Sequence, residues 1–191
     1  NIHFKLTKEI LLDLINPHLK LKNYDHLLRI ACNKKILSIS VRKRIKIVKV
    51  FSIMLKSYQR PLASLKHLNY KKILSFQTKI NLNKEEIVFY KNNSLLEGST
   101  TNIIAVKKDI LFIPLKSYYF GTTLRYLLDN TRMKIIKQNI KKNDLKSYSE
   151  LLLVGSGKEV ISVSSIRNLA WRRTSFIAYK KLKNIYKKLL N

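Results

Sequence analysis

Residues 85–114 read EEIVFYKNNSLLEGSTTNIIAVKKDILFIP. Three runs rich in Ile, Val, Leu and Phe are parted by two polar clusters, KNNS at 91–94 and KKD at 107–109. Asn, Asp and Ser mark turns because their short polar side chains bond nearby backbone and tolerate left-handed conformations. The stretch is therefore expected to fold as strand, turn, strand, turn, strand: a meander.

Helical and extended segments alternate around it. Upstream, Thr7 can cap a helix whose Ile10, Leu11, Leu14 and Ile15 share one face, and Pro17 stops it. HLLRIAC (26–32) and KKILSISV (34–41) read as short strands, and RIKIVKVFSI (44–53) as a third that alternates apolar and basic residues. Residues 55–65 are irregular, and Tyr70, Ile73, Leu74 and Ile80 then recur at helical spacing. Downstream, GTTLRYLLDN (121–130) opens a helix. NDLKSYSELLLVGSGKEVISV (143–163) reads as a short helix, a buried strand, a glycine loop and another strand. Residues 176–190 form an amphipathic helix with Ala178, Leu182, Ile185 and Leu189 on one face. The fold class expected is α+β (mixed α/β). A boundary near Val41–Arg44 divides the chain into residues 1–42 and 43–191, the first piece being short for a complete domain.

Of 191 residues, 46% are hydrophobic and only 4 are Gly and 3 Pro, so a packed core without long flexible linkers is expected. The lone Cys32 cannot make an internal disulfide and suits a reducing cytoplasm. No apolar run has the length of a membrane-spanning helix. The formal charge is +28. Such a field attracts polyanions, but the basic residues are spread along the whole chain, and abundant Lys, Asn and Ile are what an A+T-rich genome encodes. Nucleic-acid modules concentrate charge on one face beside aromatics, so the charge is read as composition, with a basic nucleic-acid-binding protein as the rival.

Four stretches could carry chemistry. VGSGKE (154–159) follows an apolar strand but departs from a nucleotide-binding phosphate loop, with Leu152 and Glu159 where glycine and a magnesium-binding hydroxyl would stand. Its Ser156 and the backbone at Gly155 and Gly157 could still meet an anion. Gly121, Thr122 and Thr123 stand at a helix start, where unpaired N–H groups and the helix dipole favour a phosphate. Glu97, among apolar and small residues, needs a partner: an ion pair or a heterocyclic nitrogen. LKHLNY (65–70) holds Lys66. The four histidines and Cys32 make no metal-ligand spacing, no G-x-S-x-G motif is present, and no metal is expected.

Taken in order, these stretches resemble the class IV aminotransferase family, the fold-type IV enzymes of pyridoxal 5'-phosphate. LKHLNY resembles the segment of the Schiff-base lysine, EGSTTNI the E-G-x-x-x-N strand turn, FGTTLR the G-I-T-R helix start, and SELLLVGSGKEVISV the D-E-x-x-x-x-G-T-x-x-E-x-x-P-V segment. The resemblance is in register over Leu65–Val163. It implies that Lys66 forms the cofactor's internal aldimine, that Glu97 faces the pyridine nitrogen, and that Tyr70 lies near the cofactor. It further implies that Gly121, Thr122 and Thr123 hold the phosphate, with Ser156 and Gly157 as a second contact. A buried amine near a cationic ring loses its proton easily, so a buried Lys66 is expected.

LKHLN looks most like 4-amino-4-deoxychorismate lyase, which eliminates pyruvate to leave 4-aminobenzoate for folate synthesis. EGSTTN looks equally like branched-chain or D-amino-acid transaminases, and a degraded non-catalytic copy is a further reading. The implied ligands are a small amino or keto acid or aminodeoxychorismate, and the implied assembly is a cytoplasmic homodimer without membrane or nucleic acid. The chain departs from the family pattern in three places. The small-domain arginine that helps hold the phosphate would lie upstream of Asn1, so the small domain is expected to be truncated. Leu124 replaces the arginine of G-I-T-R, with Arg125 following, and Tyr119 stands where a smaller apolar residue packs.

Overall fold

The computed structural model describes residues 7–18, 26–32, 36–44, 46–67 and 69–190. The chain makes two compact units, Asn1–Ile45 and Lys46–Asn191. The first contains helix α1 (Lys8–Ile15) and an antiparallel hairpin of β1 (His26–Cys32) and β2 (Leu37–Lys43). Thr7 caps α1, its Oγ1 accepting from the Ile10 N–H at 3.4 Å, and a short 3-10 turn over Asn16–His18 ends it at Pro17.

The second unit is built on two sheets. One has four strands in the order β11-β3-β4-β5, from β3 (Ser52–Ser57), β4 (Glu85–Lys91), β5 (Ser94–Gly98) and β11 (Ser165–Ile166). The other has five, β10-β9-β6-β7-β8, from β6 (Asn102–Lys107), β7 (Ile110–Ile113), β8 (Ile135–Lys137), β9 (Glu150–Gly155) and β10 (Glu159–Ser162). Strand periodicity explains the layering. On β6, Ile103 and Ala105 join Phe51, Ile53, Val88, Leu95, Leu151 and Leu153 in a core shared by the two sheets. Ile104 and Val106, one residue out of phase, pack under helices α3 (Thr122–Asn130) and α4 (Ile177–Leu190) through Leu124, Leu127, Ala178, Leu182 and Tyr186. Helix α2 (Lys71–Gln77) covers the outer face of the four-stranded sheet, where Ile73 meets Ile87 and Phe89. Central strands covered on both faces read as unbroken apolar runs, as NIIAVK does.

The stretch 85–114 departs instructively from the expected meander. Its two turns are present, with positive φ at Asn92 and Asn93 (47° and 63°) and at Lys108 and Asp109 (50° and 57°), the mirror-image hairpin geometry that suits twisted strands. The central run, however, is two strands. It breaks at 99–101, where the chain leaves the four-stranded sheet and enters the five-stranded one. Upstream, RIKIVKVFSI is not a strand throughout: β3 begins at Ser52, and Val48 makes a single bond to the Asn83 carbonyl (3.1 Å). Residues 52–57, expected to be partly irregular, are β3. On α4 the buried face is Ala178, Leu182 and Tyr186, while Leu189 is exposed. Among the described residues no helix is long and apolar enough to cross a membrane.

Candidate active site

The break at 99–101 opens a cavity of about 170 Å³ inside the second unit. That volume is of the order that admits one six-membered ring, as a ~150 Å³ apolar cavity admits benzene. Lys66, Tyr70, Glu97, Gly121, Thr122, Thr123 and Ser156 all line it, although they come from four separate stretches of chain. Gly157 lies in the neighbouring turn and does not line the cavity. Lys66 differs from the buried amine expected above. It is an exposed side chain at the cavity's edge, with Nζ 5.8 Å from the centre of the Tyr119 ring.

Glu97, at the end of β5, is buried and has a partner that the sequence reading missed. Arg60, also buried, donates through Nε to Glu97 Oε1 at 2.9 Å and through Nη2 to Oε2 at 3.2 Å. The Tyr119 N–H donates to Oε2 at 3.0 Å. An ionised carboxylate offers about four acceptor positions; these bonds use three and leave one on Oε1. Of the two partners expected for Glu97, the bare chain thus supplies the ion pair, and a guanidinium, planar and forked, matches the carboxylate's two oxygens better than an ammonium. Arg60 also donates to the carbonyls of Ala63 (2.6 Å) and Leu65 (2.7 Å). One side chain thus fixes both the carboxylate and the loop that carries Lys66. His67 Nε2 lies 2.8 Å from the Pro61 carbonyl and its Nδ1 accepts from the Asn69 N–H at 3.1 Å, bracing that loop further.

The opposite wall is the start of α3. Gly121 caps it without any side-chain bond from the cap residue, so the N–H groups of the first turn are not served by the cap side chain. Gly121's own N–H is taken by Asn102 Oδ1 at 3.1 Å, and Asn102 Nδ2 donates to the Tyr119 carbonyl at 2.5 Å. The Gly121 N–H is thus already occupied, and Thr122 and Thr123 line the cavity beside it. Asn102 was legible only as the last letter of E-G-x-x-x-N; its work is to hold the Tyr119–Gly121 loop.

Three further observations bear on what the cavity can hold. Thr101 Oγ1 is buried and has no hydrogen-bond partner, a costly state for a hydroxyl unless a guest completes it. A Cβ on Gly98 would stand 2.2 Å from that same oxygen, and one on Gly121 would stand 2.7 Å from Asn102 Oδ1. A Cβ on Gly155 would come within 3.3 Å of the Thr100 carbonyl. The glycines let backbone pack closely around a polar space.

A family model described as "Amino-transferase class IV" matches residues 20–166. No curated protein matches the chain. Among solved structures, a protein of Legionella pneumophila provisionally described as 4-amino-4-deoxychorismate lyase is similar over 97% of this chain and 78% of its own, with TM-score 0.81 and 16% identity. A Thermotoga maritima protein provisionally described as a branched-chain amino acid aminotransferase covers 98% of this chain and 74% of its own, with TM-score 0.79 and 14% identity. An aminotransferase from Brucella abortus, solved bound to the cofactor PLP, covers 80% and 58%, with TM-score 0.64 and 15% identity. At such identities the likeness is one of fold.

Proposed function

The chain belongs to the class IV aminotransferase family, and from that premise we propose that it is a pyridoxal 5'-phosphate enzyme whose reaction is the 4-amino-4-deoxychorismate lyase reaction. The observation that carries the cofactor reading is the single cavity onto which Lys66, Glu97, the start of α3 and the turn at Ser156 converge. The unpartnered Thr101 hydroxyl and the glycine-cleared walls fit a flat polar guest with an anionic end. Thr122, Thr123 and Ser156 would hold the phosphate, and the open acceptor position of Glu97 would face the ring nitrogen. Residues 1–42 are assigned to the small domain of the family and 43–191 to the large cofactor-binding one. The assembly proposed is a cytoplasmic homodimer acting in folate synthesis.

When bound, the cofactor supplies an electron sink for negative charge at the substrate carbon that carries nitrogen. The rest falls to the protein. Arg60 holds Glu97 in place and clamps the loop before Lys66, so the amine and the carboxylate are positioned by one side chain. Lys66 Nζ takes the proton from the substrate carbon bearing the amino group and returns it to the leaving enolpyruvate. Positioned proton transfer of this kind contributes roughly 10²–10⁴-fold. The choice of lyase rests on LKHLN at 65–69. The EGSTTN stretch at 97–102 supports a transaminase as the second reading.

The test is reconstitution. Protein with pyridoxal 5'-phosphate should absorb in the visible, and borohydride should then fix the cofactor to one peptide, the one containing Lys66. Aminodeoxychorismate should yield pyruvate and 4-aminobenzoate in equal amounts. Label on another lysine would sink the site. Label on Lys66 with amino-group exchange but no pyruvate would select the transaminase.

A further inference from the structure

A second buried carboxylate stands behind the cavity. Glu86, near the start of β4, exposes 0% of its surface and does not line the cavity. Its Oε1 accepts from Ser99 Oγ at 3.1 Å, from the Thr100 N–H at 2.7 Å and from Thr100 Oγ1 at 3.0 Å. Its Oε2 accepts from Lys158 Nζ at 2.6 Å. Lys158 is also buried, with its ammonium 5.4 Å from the centre of the Phe51 ring. One carboxylate therefore ties two turns far apart in sequence. The turn at 99–101 carries Thr100 and Thr101 into the cavity wall, and the turn at 155–158 carries Gly155 and Ser156.

Stability alone does not account for this arrangement. Taking two charges out of water is costly, and apolar residues of the same volume usually hold a fold as well or better. What an apolar pair cannot do is direct several hydrogen bonds at once to fixed points on two chain segments. The side-chain hydrogen bonds of Glu86 go to these two turns. Gly98 shows how tight the join is, since a Cβ there would also stand 3.0 Å from Glu86 Oε1.

We propose that Glu86 and Lys158 are positioning residues that set the gap between the 99–101 and 155–158 turns, and thereby the anion-holding wall of the cavity, without touching the ligand. This rests on the reading of the cavity as a site for a phosphorylated pyridine. Outer partners that orient a binding group are typically worth about 10–100-fold when removed, as at metal centres.

The experiment compares pyridoxine 5'-phosphate with pyridoxine by calorimetric titration of the full chain. Neither ligand has an aldehyde, so the many lysines stay unmodified, and high salt screens the surface charge. The wild type should prefer the phosphorylated ligand. In E86Q/K158M, which keeps both volumes and leaves no unpaired buried charge, affinity for pyridoxine 5'-phosphate should fall about tenfold or more while pyridoxine binding is unchanged. A merely structural pair would lower both affinities together or neither, and either result overturns the proposal. E86D keeps the charge and shortens the arm by one methylene, so it serves if the double variant does not fold; an undiminished phosphate preference in E86D also overturns the proposal. A wild type with no preference removes the cofactor reading itself, and the positioning role with it.

Discussion

Glu97 and Glu86 stand on adjacent strands of one sheet, and the contrast between them separates a front from a back. Both are buried, and both are paired with a buried cation. Glu97 faces the cavity, keeps one acceptor position open, and shares its cation with the loop before Lys66. Glu86 does not line the cavity, and its bonds run to the two turns that wall it. The same residue type at the same burial thus reads as a site residue in one place and as a strut in the other. What decides is not charge but whether the carboxylate lines the cavity or bonds only to the turns that wall it.

The contrast breaks most sharply at Arg60. Arg60→Met leaves Glu97 buried without its cation and frees the carbonyls of Ala63 and Leu65. It should cost about 3–5 kcal/mol in urea denaturation, because an uncompensated buried charge is the expensive state. Arg60→Met combined with Glu97→Leu should recover most of that loss while abolishing cofactor binding. A cost below about 1 kcal/mol for the single change would mean that Glu97 finds another partner, and the front would then be no more organised than ordinary surface.

Glu97→Gln sharpens the same comparison at smaller cost. The amide can still accept from the Tyr119 N–H but loses the charge-assisted bonds to Arg60, worth about 1.5–3 kcal/mol. The fold should survive, cofactor should still bind, and turnover should fall at least about tenfold, since a neutral amide cannot hold a proton on the ring nitrogen. Unchanged turnover with a bound cofactor would remove Glu97 from the chemistry and make it a strut like Glu86.

The difference between front and back also marks how far the sequence could be read. The helices and most strands followed from periodicity, and LKHLNY, EGSTTN, FGTTL and GSG flagged the segments that meet at the cavity. The crossover at 99–101 was not legible, because a run buried on both faces has no alternation to interrupt. RIKIVKV misled for the opposite reason: it alternates without a shared buried face, since Ile47 packs on the inter-sheet core while Val48 and Val50 are exposed. Glu86 had a usable signal, since period two places it on the same face as Val88, which lies in the inter-sheet core. Arg60 and Lys158 had little signal: among 39 basic residues, a buried one looks like the rest until its partner is seen.

Gly98 joins the two carboxylates and tests whether they are separable. It ends β5 directly after Glu97, and an added Cβ meets Thr101 Oγ1 at 2.2 Å and the Thr101 carbonyl at 3.2 Å. Gly98→Ala should cost about 1–3 kcal/mol, the usual penalty of overpacking where backbone cannot withdraw. It should also weaken phosphate binding, because Thr101 and the Glu86-tethered turn move together. Gly155→Ala is the milder control, its nearest contact being 3.3 Å. Equal effects of the two would show that the wall yields as a whole and that the tether through Glu86 sets nothing.

The smallest effect is expected at Leu62. It lies two residues after Arg60, is well exposed, and holds a φ of 45°, a region that costs a side-chain-bearing residue about 1–2 kcal/mol. Glycine removes that strain but gives back about 0.5–1 kcal/mol in unfolded-chain entropy. Leu62→Gly should therefore raise stability by about 1 kcal/mol or less, read as a small rise in the urea midpoint at constant slope. Cofactor affinity should not change, because Arg60 still grips the carbonyls on either side of Ser64 and so still sets where Lys66 begins. A fall in affinity of about tenfold would mean that backbone strain, not the guanidinium, aims the lysine. The front of the site would then depend on a bent loop, and the back alone on a buried charge.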